Sequence, residues 1–467
     1  MVLFLFQEPT RQELMLAFNQ KMEKMKKYID IKLVAILFLV LTASCETDFD
    51  NPNQATDEQT YSSREGILAA AVGMQQLYST TGLRWIIETP AITTREGGIT
   101  TTFQNMIELE VGGAALPNFN SNVEGMWGTN YRILKVAEDI EASVPGLNLA
   151  PGTQSGLLAF AKLFKALTIG SLSQNFQQVI IQTNQANDGQ FVSRQQGLEF
   201  AIQQLTEAAA LISGAPVSSE FTANVTDGKI DLENTIQAML ARYNLFAGNY
   251  QAAITAANNV DQNSVSVFEY DLLNLNPIWA RVYQNNAPNF KPRDRFGLPL
   301  EFDLNPADGR IAFYLIPLDV TNQNGLPIED LAGFFDENTE AIPVYLPDEM
   351  NLILAEAHLR KSTPDIQAAL TALNKVRTDN NDPFGVNANL GPYSGEMTVN
   401  AILKEIYKNR RIELFLQGLS LEDSRRFERP QPSMEAGRFN EERNRNFYPY
   451  PERERNSNPN TPADPAI

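Results

Sequence analysis

Apolar residues recur along most of this chain at intervals of three and four, the period of a helix with one buried face. The stretch 64–78, REGILAAAVGMQQLY, is rich in Ala and Leu and predicts the first helix of the folded part. In EGMWGTNYRILKVAEDIEA, Trp127, Tyr131 and Leu134 fall at i, i+4 and i+7, which places all three on one interior face. The runs 156–174 and 194–213 predict a further helical pair. Two regions break the period. Residues 85–122 and 263–345 are poor in helical pattern, and the second carries Pro277, Pro288, Pro292, Pro299, Pro306 and Pro317 among many Asn and aromatic residues. Long irregular segments inside a folded protein are usually functional, so binding is expected there.

One spacing occurs twice. Ala241 and Ala253 stand 12 apart, with Gly248 and Tyr250 between them. Small residues let two antiparallel helices approach closely, Gly248 supplies the turn, and Tyr250 fills the gap. That is the logic of a tetratricopeptide hairpin. Ala357 and Ala369 repeat the spacing, with Pro364 at the turn and Ile366 in the place of Tyr250. A single hairpin cannot bury its apolar face, so several must stack. The predicted fold class is mainly α: tetratricopeptide-like stacked helical hairpins with long irregular loops and a carboxy-terminal subdomain from about residue 380.

The amino terminus follows another rule. Leu33–Leu41 is an apolar run of nine residues, too short for the ~20 that span a bilayer. Lys26, Lys27 and Lys32 precede it, and Ala43, Ser44 and Cys45 follow, the order of a secretory signal. A short buried helix or strand is the alternative. Residues 1–24 fit neither pattern, so translation is expected to begin at Met25, with a signal over 25–44 and a polar tether over 45–60; the folded domain then covers 61–467.

Composition narrows the function. Lys plus Arg number 37 against 56 Asp plus Glu, a net charge of -19, which disfavours nucleic acid because phosphate binding needs a basic surface. One Cys and one His cannot supply a thiolate or imidazole metal cage, and no disulfide can close within the chain. No metal or cofactor is expected. There is no G-x-S-x-G, H-E-x-x-H or P-loop, and His358 on a repeat helix reads as a packed or surface residue; the chain is not read as an enzyme.

Motifs then point to a family. The amino-terminal stretch resembles a bacterial lipoprotein signal, in which Cys45 becomes the first mature residue and carries acyl chains; Thr42 stands where that pattern prefers Leu. Glu46, Asp48 and Asp50 follow, as in lipoproteins sent to the cell exterior or as in a plain solvated linker. ILKEIYKNRRIELFLQGLSLEDSRRFERP (402–430) resembles a signature of the SusD/RagB family of outer-membrane nutrient-binding lipoproteins. Ile406, Arg410, Arg411, Glu413, Leu414, Gly418, Asp423, Arg425 and Arg426 stand in matching places, and Phe427 replaces a Trp. MWGTNYRIL is similar to the family's W-x-x-x-Y-x-x-I helix, and YPYPERERNSNPN to its closing segment. Gln177–Ile180 replaces the usual Gly-Asp-Val-Pro, the mark of a divergent member. From the residue types, Gly418 is expected to end the helix before it in the left-handed conformation, and Asp423 to pair with Arg425 and Arg426; an anionic-ligand site is the alternative use of these arginines.

The resemblance implies a surface protein in the outer membrane, held by lipid on Cys45. Such a protein captures a nutrient, usually a glycan, and hands it to a SusC-like TonB-dependent transporter. Aromatic rings stack on the apolar faces of sugars while Asn, Gln, Arg and Asp meet hydroxyls. The candidate ligand-binding residues are Arg84 with Trp85, and Trp279 with Tyr283 one turn further along, all in or beside the two irregular regions. The rival reading is a lipid-anchored helical-repeat scaffold for protein–protein interaction with no transport role.

Overall fold

The structure, a computed structural model, describes residues 10–42, 60–184, 186 and 188–467, with only the backbone course given for 27–42. The chain divides into Met1–Thr56 and Asp57–Ile467. In the first unit Arg11–Thr42 forms one helix (α1), which includes the apolar run Leu33–Leu41. Cys45 and the tether as far as residue 59 lie outside the described residues.

Helices dominate the second unit. They are α2 (Arg64–Leu77), α3 (Leu83–Thr93), α4 (Gln104–Val111), α5 (Ser121–Ser143), α6 (Pro151–Asn175) and α7 (Arg194–Gly214). There follow α8 (Leu232–Phe246), α9 (Tyr250–Asn258), α10 (Pro277–Val282), α11 (Gly309–Tyr314), α12 (Pro347–Arg360) and α13 (Ile366–Thr378). The last are α14 (Val399–Glu413), α15 (Ser420–Arg426) and α16 (Glu452–Ser457). Local chemistry sets many starts. Ser63 caps α2 through the Gly66 N–H, and Ser193 with Gln196 forms a reciprocal capping box on α7. The stacked hairpins are α6 with α7, α8 with α9, and α12 with α13, each packing on the next. Ala241, Ala253, Ala357 and Ala369 are all fully buried, and Gly248 turns at φ +79°. The tetratricopeptide-like reading holds. By length and composition α6 is the one helix among the described residues able to cross a membrane, but 83% of its apolar window is buried by protein. It is the core helix of the stack.

The irregular regions differ from expectation. Residues 85–122 are not one long loop, since α3 and α4 lie largely within them. Pro90 sits inside α3 and cannot donate to the carbonyl of Ile86. Gly418, at φ +75°, approaches that carbonyl so closely that a Cβ there would lie 2.7 Å from it. Packing from the far end of the chain thus covers the helix break. Residues 263–345 hold the short helices α10 and α11, and small antiparallel ladders tie the chain. Strand β1 (Gly97–Ile99) pairs with β5 (Phe290–Pro292), and β2 (Gln178–Ile180) with β3 (Phe191–Ser193). Strand β4 (Val267–Phe268) pairs with β8 (Ile342–Pro343), and β6 (Leu315–Thr321) with β7 (Pro327–Leu331).

The carboxy-terminal third is stitched to the amino-terminal helices inside one unit. Arg411 donates to the carbonyls of Phe296, at 3.0 Å, and Thr94. Arg95 reaches the carbonyls of Arg438 and Glu441, Asn444 donates to Leu109, and Tyr448 bonds Thr93 at 2.7 Å. The 402–430 signature is a structural lock. Asp423 holds Arg410 at 2.8 Å and Arg426 at 2.8 Å, while Glu356 holds Arg360 and Arg426, both at 2.7 Å. Arg425 departs from expectation: it bonds Glu422 and the carbonyls of Gln174 and Asn446, because α15 turns it away from Asp423. Helix α14 also ends at Glu413, so Gly418 closes the following turn and not the helix itself.

A second buried ionic group lies across α14. Arg310 holds both oxygens of Asp308 and, at 3.1 Å, Glu413. One carboxylate oxygen on each of Asp348, Asp382 and Glu413 is buried without a hydrogen-bond partner among the described residues.

Candidate functional site

The two irregular regions meet. Besides the β1–β5 ladder, the Thr100 N–H donates to the Asn289 carbonyl and the Arg293 N–H to that of Glu96. Beside this junction α3 carries Arg84 and Trp85, and α10 carries Trp279. The two helices are joined by Glu88, which is fully buried. It accepts from Arg84 Nε at 3.3 Å and from Arg281 Nε at 2.8 Å, across 193 residues of sequence. Neither Glu88 nor Arg281 stood out in the sequence; only the i, i+4 spacing of Arg84 and Glu88 could have hinted at the clamp.

Each element is locally fixed. A π-helical turn, Tyr78–Gly82, separates α2 from α3 and sets the angle at which Arg84 and Trp85 leave the stack. Helix α10 begins at Asn276, fully buried, whose side chain accepts the N–H groups of Ile278 and Trp279. The Asn276 amide also donates to the carbonyls of Phe334 and Glu340, each at 2.9 Å, so three segments of 263–345 converge on one residue. Pro277 at the first helical position suits a turn whose N–H has no intrahelical partner.

The candidates differ in freedom. Trp85 is partly buried: helix α5 presses on it at Gly125, where a Cβ would lie 2.5 Å from the ring, and the Arg84 guanidinium stacks 4.0 Å from its centroid. The half-buried platform is therefore the pair, a guanidinium lying on an indole. Burial lowers the Arg84 pKa from its ordinary value, with Glu88 opposing. Trp279 is half-buried, and its indole has neither a ring contact nor a hydrogen bond among the described residues. Of the aromatic candidates it is the freest. Tyr283 is committed to structure. Its hydroxyl donates to the Leu331 carbonyl, and burial pushes its pKa up to about 12.

Away from this junction, a concavity of about 460 Å³ lies between α5, the β2–β3 connection and α16. Trp127, Tyr131, Ile180 and Glu454 line it, so three of the motif pieces converge here. The Trp127 indole N–H donates to Glu454 at 3.1 Å, and the Tyr131 hydroxyl accepts from the Ile180 N–H at 2.7 Å. Trp127 is only 4% exposed and is surrounded by Tyr131, Phe176, Phe191 and Tyr450. Its faces are spent on packing, as the helical register predicts, and offer no stacking surface.

Residues 337–464 match the model of the SusD family. Among solved structures, the fold is similar to a SusD homolog from Bacteroides thetaiotaomicron, with a TM-score of 0.68 at 12% identity over 88% of this chain and 99% of that one. A SusD superfamily protein from Parabacteroides distasonis gives 0.65 at 15% identity, covering 89% and 100%. A SusD-like carbohydrate-binding protein from Bacteroides fragilis gives 0.64 at 14% identity, covering 86% and 99%. Identities this low establish the fold. No curated protein matches the chain.

Proposed function

The chain is a SusD-like protein, and from that premise we propose that it binds a glycan and delivers it to a SusC-like TonB-dependent transporter. In this reading it is held to the outer membrane by acyl chains on Cys45 and faces the cell exterior, and it does no bond chemistry of its own. The observation that carries the reading is the meeting of two regions far apart in sequence, with the Arg84–Trp85 stack and the open Trp279 indole fixed on helices that share Glu88. A sugar ring offers one apolar face and a rim of hydroxyls. An indole with a guanidinium and amides nearby complements both. The same family and fold include a Bacteroides fragilis protein described as carbohydrate-binding, which supports a glycan over other nutrients.

Isothermal titration of the detergent-solubilised full chain, with ligands chosen from a glycan array, tests this. Trp279→Ala is expected to weaken binding by about 1–3 kcal/mol, by analogy with the alanine-substitution range for bases stacked on aromatic rings. Unchanged titrations for Trp279→Ala and Trp85→Ala together would reject the site. A chain that binds no glycan but retains a protein partner would favour the anchored scaffold. Cys45→Ala is expected to move the protein from the membrane to the soluble fraction.

A further inference from the structure

On a chain of net charge -19, a pocket lined mainly by cations stands out. A concavity of about 460 Å³ on the carboxy-terminal third is walled by Arg360, Lys404, Arg426 and Arg429 and by Phe302, Tyr407 and Phe427; Glu428 is its one acidic lining residue. It shares no residue with the Arg84–Trp279 site. The acids that hold the arginines stand behind them. Glu356 is fully buried and bonds Arg360 and Arg426, while Glu442 is nearly so and bonds Arg429 at 2.8 Å. Glu301, half-exposed, caps Arg429 at the rim. The Nη1 groups of Arg360 and Arg429 and the Nζ of Lys404 have no hydrogen-bond or ion-pair partner among the described residues.

The rings complete the arrangement. Arg360 and Arg426 lie 4.9 and 5.3 Å from the centre of Phe427. Arg429 and Lys404 lie 4.7 and 5.1 Å from that of Phe302. Guanidiniums pinned by buried carboxylates and backed by rings lose little freedom on meeting an anion, so the cost of ordering them is met in folding. The free Nη1 groups and the Lys404 ammonium can each donate to an oxyanion, and the part of Phe427 that lines the pocket offers an apolar surface to a sugar.

We infer that this pocket is a second ligand site, taking a sugar that bears a carboxylate or a sulfate ester. The anion is held by Arg360, Lys404 and Arg429, and the sugar rests against the part of Phe427 that lines the pocket. The sugar half of this assignment rests on the glycan-binding reading above; the anion half does not.

Isothermal titration at low salt of the full chain in detergent separates the parts. The probes are trigalacturonic acid, its neutral galactose counterpart and galactose 6-sulfate. At least one anionic probe is expected to bind ten-fold or more tighter than the neutral one, and to lose that advantage in Lys404→Glu and in Asn400→Asp. Both positions are exposed and free of ion pairs, so the variants keep the fold. Sulfate and carboxylate arms tell which oxyanion is preferred. Equal binding of charged and neutral probes, or an anion preference untouched by both variants, overturns the inference while leaving the Trp279 site standing. Anionic binding that survives Trp279→Ala, with no neutral sugar bound at all, removes the Trp279 site and leaves this one.

Discussion

Helix α14 separates two buried ionic groups that titrate in opposite directions. On one side Asp423 and Glu356 are pulled below their ordinary values by Arg410, Arg426 and Arg360, even though burial pushes the other way. On the other side burial wins. Asp348 is raised to about 7, Glu413 rises well above its ordinary value, and Asp382 also rises. Burial is nearly the same in both. What differs is the supply of guanidiniums. Asp423 and Glu356 each meet two, whereas Arg310 is shared between Asp308 and Glu413, and Asp348 and Asp382 add like charge. Burying a carboxylate always costs desolvation; the count of cations around it decides whether that cost is offset.

The largest test of this contrast is Asp423→Ala, which leaves two arginines without their shared carboxylate. A loss of about 3–5 kcal/mol in denaturant unfolding is expected, and a loss under 1 kcal/mol would break the comparison. The opposite group should answer with the opposite sign. Between its ordinary 3.8 and about 7, folded Asp348 keeps a proton that the unfolded chain has released. Stability therefore falls as pH climbs through that window and levels off above it. The arginine-held acids, with lowered values, lose their stabilisation only as pH falls below the ordinary carboxylate range. Asp348→Asn should thus stabilise the protein at pH 8 by roughly 2 kcal/mol and flatten the decline in Tm between pH 5 and 8. A variant whose Tm follows the original pH curve would remove Asp348 from the account.

Gly418 lies on the turn between the two groups. Gly418→Ala combines a strained φ of +75° with a clash on the Ile86 carbonyl, and about 1–2 kcal/mol of destabilisation is expected in thermal unfolding. The smallest effect belongs to Lys404→Glu, an exposed charge beside the lock, which should change stability by less than about 0.5 kcal/mol. A larger change would mean that the lock reaches the surface.

The hairpins were legible because their signal is local. Paired alanines at fixed spacing report where two helices touch, whatever surrounds them. Helix α3 was not legible, because Pro90 argues against it and the compensation arrives from Gly418, more than 300 residues away. The candidate site was half visible. Arg84, Trp85 and Trp279 announce themselves by residue type, but Glu88, which ties their helices together, is one acid among 56 until the chain folds. Tyr283 shows the reverse problem, since its spacing from Trp279 resembles a second platform while its hydroxyl serves β7. The cationic pocket draws on residues near 302, 360, 404 and 427. Only Arg425-Arg426-Phe427 was conspicuous, and Arg425 faces elsewhere.

The family match begins at 337, yet no joint exists there. Arg95, Arg411, Asn444 and Tyr448 sew that segment to residues 93–110 with bonds that are buried or part-buried. A chain severed near 336 should yield two fragments that are each insoluble and recover only when produced together. What is inherited as a recognisable block is, physically, half of a zipper, and grafting it onto another scaffold would require bringing the matching teeth along.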